Sequence, residues 1–384
     1  MPFTSRAVRP RPIARVVTLL VAMVACTPAS PKQPAATDRA AIVARVADLV
    51  SNPNPEGIDT LEFVTIGETR QAISIRGRDR KNPILLFIHG GPANPTMAIS
   101  WAFQRPWEDY FTVVQWDQRG SGKSVIGEAD RERLAATMTV DQFVSDAETI
   151  VDHLRQRLGQ EKVIVMGWSW GTAVGARLAV RAPQKLHGYI GLGQTVNAAA
   201  ERAAFEGTLA RARAAGNTDA VRELEALEPY PGANGERVLP GAITVRKWAR
   251  VYDGGWYGRD DLALYEALSE WSPDYTEADH AAQGSANGWA GPLLLGSLMR
   301  RDLLTEALTF KVPVLFLMGR HDLHTPLPPV EAYFARITAP SKRLVIFEKS
   351  GHFSMFEEPG RLLVTMVQEV LPWVERSAAD RARP

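Results

Sequence analysis

The sequence predicts an α/β fold, with a mostly parallel β-sheet, helices on both of its faces and a helical cap inserted in the second half of the chain. Two observations carry this prediction. Short apolar segments alternate with helical segments along the chain, and this alternation is interrupted between about residues 196 and 310. With 384 residues, 45% of them hydrophobic, the chain can bury a large core.

Seven short apolar segments are the candidate strands of the sheet. The clearest helix follows Thr139, because Thr139 and Gln142 form a capping-box pattern. Another helical segment runs from Thr172 to Val180, and Asp38 opens an amphipathic helix with Leu49 on its apolar face. The strand candidates are Ile73 to Arg76, Ile84 to Ile88, Phe111 to Trp116, Val163 to Met166, Leu186 to Leu192, Val314 to Leu317 and Leu344 to Phe347.

Residues 196 to 310 contain no segment as apolar as the strand candidates on either side. This part of the chain carries five tyrosines and the tryptophans Trp248, Trp256, Trp271 and Trp289. We therefore predict a helical cap that lies over one end of the sheet. The predicted division is a core at 38–195, the cap at 196–310, the rest of the core at 311–376 and a tail at 377–384.

Residues 1–26 have the pattern of an export signal. Four arginines between Arg6 and Arg15 precede an apolar run, Val16 to Ala25, that is too short to span a bilayer. The run ends Met-Val-Ala-Cys at Cys26, which resembles the cleavage site of a bacterial lipoprotein. We expect cleavage before Cys26 and a lipid on that cysteine. A simple secretory signal cut nearby, which leaves a soluble protein, is the alternative.

The export signal sets expectations for the location of the protein. Residues 27–37 carry three prolines among Ala, Ser and Thr, which is typical of a flexible linker. We expect the periplasm or cell envelope, outside the cytoplasm, with membrane attachment only through a lipid on Cys26. Since Cys26 is the only cysteine, no internal disulfide is expected. A net charge of +1 does not favour nucleic acid as a partner.

Ser169 is the candidate nucleophile. It lies at the centre of Gly167-Trp168-Ser169-Trp170-Gly171, directly after a predicted strand and before a predicted helix. This strand-turn-helix context is the one in which a Gly-X-Ser-X-Gly segment exposes its serine. The pentapeptide alone often arises by chance, and the context favours the functional interpretation. The glycines are expected because side chains there would collide in the tight turn.

A serine nucleophile also needs donors for the oxyanion that forms during attack. His89-Gly90-Gly91-Pro92 follows the predicted strand that ends at Ile88. The backbone N–H of Gly90 or Gly91 can therefore join that of Trp170 in an oxyanion hole. We interpret His89 as a structural residue whose ring braces this loop.

Asp322 and His352 are the candidate acid and base. Each follows a predicted strand, and they come after the serine in the order acid, then histidine. His352 lies in a loop of small residues after the last predicted strand. His321 and His324, which flank the acid, are the alternative bases.

The segment from Asp117 to Ser124 ends like a phosphate-binding loop, in Gly122-Lys123-Ser124. That motif needs a glycine five residues before Gly122, and position 117 is aspartate. We therefore exclude a nucleotide site and predict a turn held by Asp117 and Arg119.

Five of these segments together resemble the proline iminopeptidase branch of the α/β hydrolases, over about residues 60–195 and 311–371. The resemblance implies the α/β-hydrolase fold with an eight-stranded sheet, a catalytic triad of Ser169, Asp322 and His352, and a helical cap. The Asp-Gln-Arg-Gly segment is the most specific, because many other α/β hydrolases read Asp-X-Arg-Gly there. The segments are His89 to Pro92, Asp117 to Ser124, Gly167 to Gly171, Gly319 to Asp322 and Ser350 to His352.

The resemblance also suggests where a substrate amine would bind. Members of that branch hold the free α-amine with glutamates of the cap, one of them in a Trp-Glu pair. Here Tyr252-Asp253 stands at the nearest match, so Asp253 is the candidate anchor. Glu270, beside Trp271, is the second candidate.

The expected function is that of an exported serine hydrolase that acts through an acyl-enzyme. The resemblance implies a proline iminopeptidase-like aminopeptidase that releases an N-terminal residue from short peptides. An esterase or amidase for small apolar esters or lactones is the alternative, because the glutamates of the family are not matched. A binding module that keeps the fold without the reaction is a third interpretation. The expected partner is a small-molecule or short-peptide substrate, and no metal or cofactor is implied.

Overall fold

The structure is a computed structural model that describes residues 39–232, 238–258 and 262–381. The predicted signal at 1–26 and linker at 27–37 lie outside the described residues. The described part contains an eight-stranded sheet made of β1 (Ile58–Ile66), β2 (Thr69–Gly77), β3 (Ile84–Ile88), β4 (Thr112–Trp116), β5 (Val163–Trp168), β6 (Leu186–Leu192), β7 (Val314–Gly319) and β8 (Lys342–Phe347).

The strand order in the sheet is β1-β2-β4-β3-β5-β6-β7-β8. The pairs β1–β2 and β2–β4 are antiparallel, and all the others are parallel. Strands β3 to β7 are buried along their whole length, as expected for parallel strands covered on both faces. The loops that follow β3, β5, β7 and β8 therefore meet at one edge of the sheet, where sites form in such folds.

Thirteen α-helices lie in the described residues, and several 3₁₀ turns connect them to the strands. The helices are α1 (Arg39–Val50), α2 (Glu128–Leu134), α3 (Val140–Leu158), α4 (Trp170–Arg181), α5 (Ala198–Ala214), α6 (Thr218–Glu225), α7 (Val238–Val251), α8 (Leu262–Glu270), α9 (Glu277–Met299), α10 (Leu303–Glu306), α11 (Leu327–Arg336), α12 (Ser354–Glu357) and α13 (Pro359–Arg381).

Two apolar clusters cover the two faces of the sheet. Neighbouring residues of one strand belong to different clusters, as Ile164 and Val165 of β5 do, because successive side chains of a strand point to opposite faces. Val165 packs in a cluster with Phe143 of α3, whereas Ile164 packs in a cluster with Leu362 of α13. The prediction of helices on both faces is confirmed.

The seven predicted strands are confirmed as β2 to β8, whereas β1 was not predicted. β1 is an edge strand that pairs only with β2, and Leu61 and Phe63 on it are exposed. Its sequence mixes polar and apolar residues and lacks the continuous apolar run of the central strands. The strand prediction depended on such runs, so β1 was missed.

Three local predictions are corrected by the structure. In α1, Val46 and Val50 are buried, but Leu49 is 74% exposed and does not belong to the buried face. Only half of the capping box forms: Thr139 accepts a hydrogen bond from the N–H of Gln142, whose side chain instead donates to Asp146. The predicted tail at 377–384 begins inside α13, which continues to Arg381.

The insertion between β6 and β7 is helical in its described residues and consists of α5 to α10. This agrees with the predicted helical cap. Within the described ranges, no helix combines the length and the apolar character that crossing a membrane requires.

The turn after β4 is held by buried polar contacts. Arg119 donates two hydrogen bonds to Asp146 of α3, at 2.8 and 2.9 Å, and both side chains are almost fully buried. Asp117 accepts hydrogen bonds from the N–H of Lys123 and from the hydroxyl of Tyr275, which belongs to the cap. The prediction of a turn held by Asp117 and Arg119 is confirmed.

Asp117 makes the free energy of unfolding depend on pH. Burial raises the pKa of its carboxyl from 3.8 to about 7, so between these values the folded state holds a proton that the unfolded chain has released. This contribution to stability is complete at lower pH and is lost as the pH rises towards 7. We expect Asp117→Asn to remove this part of the pH dependence in denaturant unfolding curves.

The matched control is Asp130→Asn, which removes an exposed carboxylate paired with Arg133. It should leave the pH dependence of unfolding unchanged. An Asp117→Asn variant with the pH dependence of the wild type would contradict this interpretation.

Candidate active site

Ser169 lies in a strained backbone conformation between β5 and α4. Its φ and ψ are 52° and −121°, a region that non-glycine residues rarely occupy. Its N–H donates to the carbonyl oxygen of Leu192, the last residue of β6, at 2.9 Å. The turn therefore holds the serine at the carboxyl edge of the sheet, at the N-terminus of α4.

The two glycines of the pentapeptide permit close backbone packing. A Cβ atom at Gly171 would lie 2.0 Å from the carbonyl oxygen of Ile88, and one at Gly167 would lie 2.4 Å from that of Gly171. Both distances are far below van der Waals contact. The collisions expected from the sequence are thus with the backbone of β3 and α4 rather than with the serine side chain.

Asp322 and His352 are hydrogen-bonded to each other. The Nδ1 atom of His352 lies 2.8 Å from Oδ2 of Asp322, and both side chains are buried. Asp322 also accepts from the N–H groups of His324 and Thr325 and from the Thr325 hydroxyl, at 2.7 to 2.8 Å. These contacts fix the orientation of the carboxylate, so it can in turn orient the imidazole. Thr325 was not identified from the sequence.

The structure favours His352 over the alternative bases. The ring of His321 stacks on Tyr257 at 3.9 Å, away from the carboxylate of Asp322. The ring of His324 lies 4.7 Å from that of His352, but burial, with smaller contributions from His352, Arg246 and Arg250, lowers its pKa well below 6.5. His324 is therefore a neutral neighbour of His352.

Ser169 and His352 line the same cavity, without a direct hydrogen bond between their side chains in the structure. Such bonds are often long in unliganded enzymes and shorten when substrate binds. The indole N–H of Trp168, next to the serine, donates to the carbonyl oxygen of His352 at 3.2 Å. The N–H of His352 in turn donates to Gly255 of the cap at 2.6 Å. The loop that carries the histidine is thus fixed from both sides.

The predicted oxyanion residues surround the serine. Gly91 and Trp170 line the cavity, and a Cβ at Gly90 would lie 3.1 Å from the Cβ of Ser169. His89 braces this loop as predicted, because its Nδ1 lies 2.8 Å from the Gly90 carbonyl oxygen and its Nε2 lies 3.2 Å from the Ser121 hydroxyl. Burial lowers the pKa of His89 to about 4, so its ring is neutral.

The cavity over Ser169 has a volume of about 270 Å³. Core and cap both contribute to its walls. Trp168 and Phe353 line it from the core, and Leu295 and Leu298 line it from α9. The cap also contributes two charged residues that the sequence analysis missed, Glu201 and Arg246. No local sequence motif marks them, because only the packing of α5 and α7 brings them together.

The two amine anchors predicted in the cap do not line this cavity. Asp253 lies in a turn with φ of 62°, where its carboxylate accepts from the N–H of Gly258 at 3.0 Å. Glu270 is exposed at the end of α8, and its carbonyl oxygen accepts from the side chain of Arg39. Asp253 and Glu270 are thus not among the residues that line the cavity, whereas the cap residue Glu201 is. Among the described residues, no group of acidic, histidine or cysteine side chains could hold a metal ion.

Comparisons with known proteins agree with this fold. Residues 83–359 match the family model described as alpha/beta hydrolase fold. The chain is 29% identical over 318 residues to the probable aminopeptidase YbaC of Bacillus subtilis. The aligned region covers 82% of this chain and 97% of that relative. It is 24% identical over 298 residues to a proline iminopeptidase of Heyndrickxia coagulans, covering 73% and 88%.

A solved structure supports the same fold. The proline iminopeptidase of Mycobacterium smegmatis superposes with a TM-score of 0.59 at 20% identity and covers 83% of this chain and 100% of that one. Since the family match spans more than half of the chain, it carries the assignment. The chain belongs to the alpha/beta hydrolase family and is a proline iminopeptidase-like hydrolase.

Proposed function

We propose that the protein is a serine hydrolase that acts through an acyl-enzyme and releases an N-terminal residue from short peptides. The observation that carries this proposal is the composition of the cavity, because Ser169, His352 and Glu201 line one cavity of about 270 Å³. A carboxylate at this position can bind the free α-amine of a substrate. Relatives named as aminopeptidases support the same reaction.

In the first step, His352 accepts the proton of the Ser169 hydroxyl as the serine oxygen attacks the substrate carbonyl. The carboxylate of Asp322, bonded to Nδ1 at 2.8 Å, holds the ring in the tautomer that leaves Nε2 to act as base. The backbone N–H groups of Trp170 and of Gly91 or Gly90 stabilise the oxyanion. The protonated histidine then gives its proton to the departing amine, and the acyl-enzyme remains.

The second step repeats the first with water. His352 removes a proton from a water molecule, which attacks the ester formed on Ser169. Collapse of the second oxyanion releases the amino acid and returns a proton to the serine. Binding of the free α-amine by Glu201, in the same cavity as Ser169, favours removal of a single N-terminal residue over cleavage within a chain.

An esterase is the second candidate, and one observation favours it. The carboxylate of Glu201 already accepts hydrogen bonds from Arg246 at 2.6 Å and from the Tyr230 hydroxyl at 3.0 Å. A carboxylate so paired attracts an amine less than an unpaired one. If this pairing excludes amines, small esters are the better substrates.

Hydrolysis of three matched substrates distinguishes the two candidates. We expect turnover of a proline arylamide, little turnover of its N-acylated form, and loss of activity on the order of 10⁶-fold in Ser169→Ala, the scale known for triad serines. Release of the arylamine is measured by absorbance. Rapid hydrolysis of a short-chain aryl ester, with no turnover of any substrate that has a free amine, would replace the aminopeptidase with the esterase.

Glu201→Gln tests the binding of the amine directly. Loss of a charged hydrogen-bond partner should lower kcat/KM for free-amine arylamides by about 10- to 100-fold and leave turnover of a small aryl ester within a few-fold of the wild type. Glu206→Gln is the matched control, because Glu206 lies on the same helix, is exposed and pairs with Arg202. Equal losses with amide and ester substrates would indicate a structural role for Glu201 instead.

We also propose that the protein is exported and anchored by a lipid on Cys26, in accordance with the sequence pattern of residues 1–26. Expression in a bacterial host should give a mature chain that begins at Cys26 and carries the mass of a lipid, measured by intact mass spectrometry. Cys26→Ser should abolish both the lipid and the membrane-bound fraction. A wild-type chain that is cut elsewhere and carries no lipid would support the simple secretory signal.

A further inference from the structure

Glu201 and Arg246 form a charged pair inside the substrate cavity rather than on the protein surface. Nη2 of Arg246 lies 2.6 Å from Oε1 of Glu201. Both residues line the cavity that contains Ser169. The side chain of Arg246 is 26% exposed and that of Glu201 is 12% exposed. The two charges are therefore within reach of a bound substrate.

Further contacts hold the pair in place. The second oxygen of Glu201 accepts from the hydroxyl of Tyr230 at 3.0 Å, and burial raises the pKa of that hydroxyl, so Tyr230 remains a donor. Burial alone would lower the pKa of Arg246, but the Glu201 carboxylate raises it above its usual value. Arg246 therefore stays cationic and Glu201 has a fixed orientation.

Arg246 keeps unused capacity to donate. Its Nη1 atom is buried, and no residue in the described ranges accepts a hydrogen bond from it. Guanidinium groups carry five N–H donors, and a buried donor without an acceptor costs about 1 to 3 kcal/mol. An acceptor on the substrate can remove this penalty, and a carboxylate is the acceptor that fits a guanidinium best.

The remaining walls of the cavity do not compete for such a substrate. Leu295, Leu298, Trp168 and Phe353 are apolar, and His324 is neutral. Three further lining residues, Asn94, Thr195 and Thr325, are polar but uncharged. Glu201 and Arg246 thus supply one negative and one positive charge among the residues that line the cavity.

We propose that this pair recognises an acyl group that has both a free amine and a carboxylate, that is, an amino dicarboxylic residue. The amine binds Glu201 and the carboxylate binds Arg246. This inference rests on the proposed aminopeptidase function and names its substrate class. The same chemistry occurs in an N-terminal glutamate or aspartate linked through its α-carboxyl and in a glutamate linked through its γ-carboxyl.

The reaction itself is unchanged. The amide C–N bond breaks as the bond between the acyl carbon and the Ser169 oxygen forms, and His352 transfers the serine proton to the departing amine. Water then releases the free amino dicarboxylic acid and restores the serine. The two charges on the acyl group determine which substrate binds, and water is the only reactant besides the substrate.

The test compares arylamides of α-linked glutamate, γ-linked glutamate, glutamine and proline, with the full-length protein. We expect at least one glutamate linkage to exceed glutamine by 10-fold or more in kcat/KM. Arg246→Gln should lower kcat/KM for that substrate by about 10- to 100-fold and should lower kcat/KM for the glutamine substrate by a clearly smaller factor. Arg246→Lys, which keeps the charge, should restore part of the loss.

Lys247→Gln is the matched control. Lys247 is the next residue of the same helix, but it is exposed and pairs with Glu223, so its loss should change neither substrate. Unfolding curves of the three variants show whether each is folded.

Two negative results can be told apart. Faster turnover of the proline substrate than of either glutamate substrate, unaffected by Arg246→Gln, would overturn this inference and leave the aminopeptidase function in place. If no free-amine arylamide is hydrolysed while a short aryl ester is, the aminopeptidase function fails and the inference fails with it. Equal losses of the glutamate and glutamine substrates in Arg246→Gln would also overturn it.

Discussion

The backbone turn at Ser169 is the constraint on which the site depends. Ser169 is the single residue between β5 and α4, its φ is 52°, and α4 packs directly on the end of β3. The contact leaves no room for a side chain at Gly171, since a Cβ there would lie 2.0 Å from the carbonyl oxygen of Ile88. The same packing brings the loop after β3, with Gly90 and Gly91, against the serine. Nucleophile and oxyanion donors are therefore positioned by a single close approach of two elements.

The cap is hydrogen-bonded to the core and contributes residues to the cavity over Ser169. Gly255 accepts a hydrogen bond from the backbone of His352, and Tyr275 donates to the buried Asp117 below the sheet edge, so the cap is joined to the core near both the base and the turn after β4. Its helices α5 and α7 place Glu201 and Arg246 in the cavity. In the proposed reaction, the core thus carries the chemical steps and the cap carries the recognition of the substrate.

The core and its reactive residues could be predicted from the sequence because each depends on neighbouring residues. Each candidate catalytic residue follows an apolar run that predicts a strand. Ser169, Asp322 and His352 were therefore placed just after the ends of strands. Glu201 and Arg246 could not be found this way, since they are 45 residues apart and meet only when two cap helices pack. Asp253 and Glu270 were chosen because each stands beside an aromatic residue, as the glutamate does in the Trp-Glu pair of the resembled family. A neighbour in the chain does not determine whether a side chain reaches the cavity. Edge strand β1 was missed because half of its side chains face solvent.

The central claim is that the turn at Ser169 and the Asp322–His352 pair together make this serine a nucleophile. Reaction of the folded protein with a fluorophosphonate, followed by mass spectrometry of the labelled peptides, tests it most directly. The account predicts one adduct per chain on Ser169, formed far more slowly in His352→Asn and not formed after denaturation. Folded wild-type protein that remains unlabelled, or that is labelled on another serine, would contradict it.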